Sequence, residues 1–193
     1  MAPDVSHLVA AAKEGDQGAY KELVRATYAD AYTLAYRLTG NEEDAQDVVQ
    51  EAYLRAYKGL KRFRGDAAFT TWMYRITANC ASTHLSRRAH HHHEALVDDA
   101  PVVDERQEAN PEARLGSAAE RELLHAALQS LPHEMRAVVV LRDVYDLPHD
   151  AIAAELGISE GAAKVRLHRA RRKLRERLFP LRGDNSGEKA HAV

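Results

Sequence analysis

Basic and hydrogen-bonding side chains crowd into two short stretches of this 193-residue chain, and their types point to polyanion chemistry. The denser stretch, 159–182, holds nine Lys/Arg against two Asp/Glu. Within it Lys164, His168, Arg169, Arg172 and Arg175 project opposite a helical stripe of Ala163, Leu167, Ala170, Leu174 and Leu178. Ammonium and guanidinium donors in such a row suit the phosphates and base edges of a duplex groove. The other stretch, 61–88, holds six Lys/Arg against one Asp/Glu and interleaves Arg62, Arg64, Arg75, Arg87 and Arg88 with Phe63, Phe69, Trp72 and Asn79. Flat faces beside cations and an amide are what an unstacked single strand requires, although a helical Trp with Phe and Met neighbours is more often core.

Two further groups of residues invite chemistry. Asp44, Asp47 and Glu51 recur at i, i+3 and i+7, which predicts three carboxylates on one exposed helical face. That spacing without His is poor geometry for a hard cation, so the expected role is docking against a basic partner. Cys80 and His84, with the run His90–His93, raise the question of a metal. Consecutive side chains point in different directions and no second ligand pair with zinc-site spacing follows, so no metal and no cofactor is expected. No nucleophile–base arrangement or phosphate-cradling glycine loop is present, and catalysis is not expected.

The elements that must position these groups read as helices throughout. Residues 4–40 form helices broken near Gly15 and Asp16, with Tyr20, Tyr28, Tyr32 and Tyr36 as core and boundary aromatics. Gly40 ends that segment, and Asn41 caps a helix from Glu42 to about Leu60 whose first turn is acidic. Asp66 is placed to cap a helix from Ala67 to about Arg88. Residues 89–117 lose helical periodicity, gain Pro101 and Pro111, and read as an acidic linker. A second helical unit, 118–182, restarts at Pro132 and ends in a helix-turn-helix. There Asp150 to Leu156 is the first helix, Gly157 the turn, and Ser159 the cap of the second. The tail 183–193 reads as disordered. The fold class is therefore all-α: two small helical domains, 1–88 and 118–182, joined by a flexible acidic linker.

Composition agrees. A net charge of −2 hides basic blocks separated by acidic ones, so two separate polyanion contacts are expected, and general stickiness is not. Twelve aromatics are few for a large β architecture. The single Cys80 excludes an internal disulfide, and with no signal peptide and no apolar run of spanning length the expectation is a cytoplasmic protein without membrane insertion.

Four segments in order carry a resemblance: DAQDVVQEAYLRAY at 44–57, FRGDAAFTTWMYRITAN at 63–79, SLPHEMRAVVVLRD at 130–143 and AIAAELGISEGAAKVRLHRARRKLR at 151–175. Together they resemble the extracytoplasmic-function (group IV) sigma factors of bacterial RNA polymerase, over about three quarters of the chain. The resemblance implies an alternative sigma factor that takes core polymerase to promoters and promotes their opening, commonly in stress responses. It implies that Asp44, Asp47, Gln50 and Glu51 dock on the clamp helices of the largest polymerase subunit. It implies that the loop Arg62 to Ala68, including Phe63, Arg64 and Asp66, captures the single-stranded minus-10 element, with Arg75, Asn79, Arg87 and Arg88 on the helix behind it. It further implies that the last helix reads the duplex minus-35 element. Ser159 and Glu160 start that helix; by their place on its early turns, facing away from the apolar stripe, Lys164 and His168 are the expected base-edge contacts, Arg169, Arg171 and Arg172 are the expected phosphate contacts, and Arg166 is assigned to neither. An anti-sigma factor is an implied partner. Two positions depart from the family pattern: Pro148 stands where a capping Ser is common, and Ala162 with Ala163 replaces Thr-Val, so promoter sequence does not transfer. Two rival readings remain at this level. A plain helix-turn-helix regulator leaves the first unit without a purpose, and a metal-dependent enzyme or sensor rests on Cys80, His84 and His90–His93.

Overall fold

A computed structural model describes residues 5–95 and 117–179, all of whose regular elements are helical. Helices α1 (Ser6–Lys13) and α2 (Gln17–Thr39) are separated by a turn in which Asp16 accepts from the amides of Gly18 and Ala19. Gly40 ends α2 at φ 89°, and the Asn41 side chain accepts from the Asp44 amide to start α3 (Glu42–Gly59). A single 3-10 turn (Leu60–Arg62) leads into the loop before α4 (Phe69–Ala95). The second unit comprises α5 (Ser117–Gln129), α6 (His133–Val139), α7 (His149–Leu156) and α8 (Glu160–Leu178). As the sequence predicts, Gly157 closes α7 at φ 63° and Ser159 caps α8 by accepting from the Ala162 amide.

Helix α4 departs from expectation at both ends. Helix α4 begins at Phe69, two residues later than expected, and exposed Asp66 lies before the capping position, so it does not cap the helix. At its other end α4 runs on to Ala95, through the histidine run expected in the linker. After α6 the chain takes a π-helical turn, Val140–Val144, in which the Tyr145 amide donates to the Val140 carbonyl, 3.3 Å away. The remaining expected linker and the tail lie outside the described residues.

The core is continuous across both units. Leu23, Leu34, Leu38, Val48, Val49 and Met73 are buried where α2, α3 and α4 meet. Val138, Val140, Leu141, Ile152, Ala163 and Leu167 fill the space among α6, α7 and α8. The two sets belong to one apolar cluster, because α4 packs on α6 and α7 while α2 packs on α5 and α6. At about 25 cal/mol per Å² of apolar surface removed from water, such burial is the main force holding the bundle together. No described helix is long and apolar enough to cross a membrane.

Candidate nucleic-acid interface

Helix α8 presents its cations outward because Ala163, Leu167 and Ala170 are buried against the rest of the helix-turn-helix. Lys164, His168, Arg169 and Arg172 are exposed, and Arg166 is half-buried. Lys164 contacts Glu160 at 2.6 Å and Arg172 approaches Glu176 at 3.7 Å, surface pairs that bind their side chains weakly. Arg171 behaves differently. Its guanidinium grips Asp143 of the π turn in bidentate fashion, Nε to Oδ2 at 3.0 Å and Nη2 to Oδ1 at 2.5 Å. The pair ties α8 to the turn ahead of α7, a contact that its place among the basic residues concealed.

The second basic region centres on the loop 63–68 and the face of α4. Phe63 is half-buried, tilted against Trp72 with ring centroids 4.9 Å apart and edge-on to Phe69 at 6.0 Å. Lys13 of α1 donates to the Phe63 carbonyl at 2.8 Å, which pins the start of the loop. Arg62, Arg64 and Asp66 are exposed around this aromatic cluster. Further along α4, Arg75 and Asn79 face the second unit. Arg75 Nε donates to Glu155 Oε2 at 3.2 Å, and the Asn79 amide donates to the Glu155 backbone carbonyl at 3.0 Å. Arg87 and Arg88, further along α4, are exposed.

Asp44 departs from expectation. It is 7 % exposed and turned inward, so the three carboxylates do not share one exposed face. Its oxygens accept from His84 Nε2 at 2.8 Å, from Asn41 Nδ2 at 2.7 Å and from Arg88. Burial opposes its ionisation, yet the hydrogen bonds from Asn41 and His84 and the Arg88 charge outweigh that and hold the carboxyl below its usual range. The sequence carried a signal for this: Asp44 lies four residues before Val48 on the buried stripe, at the third position of a reciprocal Asn41–Asp44 capping arrangement. Asp44 therefore ties α3 to α4.

The exposed side of α3 holds Asp47, Gln50 and Glu51, with Arg55 donating to Glu51 at 2.7 Å. Beside them Leu54 and Tyr57 are 50 % and 51 % exposed, on the rim of a groove of about 490 Å³ floored by Tyr20, Tyr53 and Val49. The acids were legible in the sequence; the apolar strip next to them was not among the expected site residues. Its signal was Leu54 and Tyr57 standing off the Val48–Ala52–Ala56 stripe. Cys80 is buried, its thiol pushed up to about 11 by that burial, which leaves it unreactive at neutral pH. Among the described residues no three His, Cys, Asp or Glu side chains gather as a metal site; those of His90–His93 lie outside that description.

Comparison with known proteins matches this arrangement part by part. The family described as Sigma-70 region 2 matches residues 23–91, and Sigma-70, region 4 matches 121–174. The ECF RNA polymerase sigma-E factor of Escherichia coli (strain K12) is 33 % identical over 180 residues, covering 90 % of this chain and 94 % of that one. ECF RNA polymerase sigma factor SigE of Mycolicibacterium smegmatis is 40 % identical over 172 residues, covering 85 % of this chain and 64 % of that relative's length. Among solved structures, CnrH in complex with the cytosolic domain of CnrY is 28 % identical at a TM-score of 0.56, covering 89 % of this chain and 94 % of that one. The sigma factor RpoE bound to the anti-sigma factor NepR, from Bartonella quintana, superposes at a TM-score of 0.61 with 20 % identity over 82 % and 96 % of the two chains, a likeness of fold. With both regions matched in order and a relative matched over nearly its whole length, the chain belongs to the ECF RNA polymerase sigma factors.

Proposed function

We infer that this chain is an alternative sigma factor that binds core RNA polymerase, brings it to promoters through a minus-35 and a minus-10 element, and promotes strand opening. The observation that carries the reading is the separation of two basic surfaces with different chemistry. One is a solvent-facing helix, α8, shaped for a groove; the other is an aromatic-backed loop beside α4, shaped for bases out of the stack. The first unit, 1–88, holds the polymerase-docking and minus-10 functions, and 118–182 the minus-35 function. Asp47, Gln50 and Glu51 face the clamp helices of the polymerase, with Leu54 and Tyr57 adding apolar area. Asp44 supports that face from beneath. Lys164 and His168 read bases, while Arg169 and Arg172 hold phosphates. The chain performs no catalysis itself and works in the cytoplasm with the polymerase. An anti-sigma factor is its natural inhibitor, a reading supported by the NepR complex of the structural relative.

Strand capture is testable apart from duplex recognition. Flipping a base costs a few kcal/mol, and a pocket at Phe63 and Asn79 returns that energy on capture. Holoenzyme carrying Asn79→Ala should form closed complexes on duplex promoter nearly as wild type does, and permanganate footprinting should show reduced opening that a pre-melted bubble largely restores. Phe63→Ala should behave alike. Wild-type melting by both variants, or no rescue by the bubble, removes Phe63 and Asn79 from strand capture.

A further inference from the structure

The outward face of α8 is cationic at its edges and apolar along its middle. Ala163, Leu167 and Ala170 are buried, which fixes the side of the helix that packs on the protein. At about 3.6 residues per turn, Val165 lies about 170° around the helix from the centre of that stripe. Lys164 and His168 stand to one side of it and Arg169 to the other, all of them exposed. Gly161, one turn earlier on the same ridge, has no side chain, and a Cβ built there would meet only the Ser159 hydroxyl at 4.0 Å. The first two turns of α8 therefore project one side chain from their outermost line, and it is an isopropyl group.

Folding does not account for that choice. Val165 is 50 % exposed and adds nothing to the core. A β-branched side chain loses rotamer freedom in a helix, so Val forms helix less readily than the Ala, Lys and Arg around it. Neither Gly161 nor Arg169, at i−4 and i+4, is a hydrophobic residue to pair with it. A recognition helix enters the major groove with its N-terminal turns foremost, so the ridge through Gly161 and Val165 meets the base edges first. The only alkyl group on those edges is the 5-methyl of thymine; the others present hydrogen-bond donors and acceptors. An isopropyl group pressed on a donor or acceptor leaves it unsatisfied, whereas against a methyl both apolar surfaces leave water.

We propose that Val165 is a specificity-determining residue: its isopropyl group packs on the 5-methyl of one thymine, so the upstream element recognised by this chain contains a T·A pair at that step. The proposal rests on the assignment of α8 to duplex DNA given above. Lys164 and His168 supply hydrogen bonds beside it, and Val165 supplies a selectivity that no hydrogen bond carries.

The test uses the full chain bound to core polymerase. Promoter duplexes are selected by this holoenzyme from random-sequence DNA, and closed-complex affinity is measured by anisotropy. Each thymine of the selected upstream element, on either strand, is then replaced in turn by deoxyuridine. That base keeps the pairing and the O4 acceptor and loses only the methyl. At one position the replacement should weaken wild-type binding about fourfold, the equivalent of burying one methyl group. Val165→Ala, with unchanged circular dichroism, should lose about the same factor on the thymine duplex and be indifferent to the replacement. A neutral replacement at every thymine, a selected element without thymine, or equal sensitivity in Val165→Ala overturns the proposal. Failure of the duplex-reading assignment of α8 shows itself separately, as selection that yields no preferred upstream element.

Discussion

At the residue scale, Asp44 shows how a charged side chain can change roles between sequence and structure. Periodicity at i, i+3 and i+7 put it with Asp47 and Glu51, but its four-residue offset from Val48 turns it under the helix onto His84 and Arg88. Hydrogen bonds to a charged group contribute about 1.5–3 kcal/mol, so Asp44→Asn should lower unfolding free energy by about that amount in urea at neutral pH. The pH dependence has a definite sign. A carboxyl lowered in the folded state contributes its stabilisation fully above its ordinary value of 3.8 and loses it as the pH falls through the lower folded value. The stability gap between wild type and Asp44→Asn should therefore narrow below 3.8, whereas a gap that stays constant there would contradict an ionised Asp44 paired with His84 and Arg88. The caps at Asn41, Gly157 and Ser159 were readable because each depends only on near neighbours in sequence. Asp66 was not, since the loop after the 3-10 turn delays α4 by two residues.

At the scale of elements, helical periodicity located both functional helices, because each buries one stripe and exposes the other. On α3 the exposed side combines Asp47 and Glu51 with Leu54 and Tyr57. Reversing two charges in a docking face creates repulsion of several kcal/mol. Asp47→Lys with Glu51→Lys should abolish core polymerase binding in gel filtration while leaving circular dichroism unchanged; unaltered affinity would exclude this face. On α8, replacing a base reader should cost about 1–3 kcal/mol at one promoter position, and replacing a phosphate contact should weaken all sequences and reduce the salt slope by about one unit. Lys164→Ala should show the first behaviour and Arg169→Ala the second, measured by anisotropy across minus-35 variants; equal weakening of every variant by Lys164→Ala would reverse its assignment. The π turn at Val140–Val144 escaped the sequence because a one-residue slip in backbone hydrogen bonding has no side-chain signature.

For the whole molecule, two helical units in the order of sigma regions 2 and 4 were legible from motifs alone, but their mutual packing was not. The residues that join them, Gln129, Arg136, Tyr145 and Glu155, are single polar or amphipathic side chains whose partners lie between 76 and 108 positions away in sequence. No periodicity records such pairs. All of this depends on one claim, that the chain turns core polymerase into a promoter-selective enzyme. The direct measurement is transcription in vitro on a fragmented bacterial genome by core polymerase with and without this chain, with RNA 5′ ends mapped by sequencing. The account predicts a discrete set of new start sites sharing two upstream elements, lost with Asp47→Lys/Glu51→Lys. Identical start-site profiles with and without the chain, despite demonstrated binding to core polymerase, would contradict it.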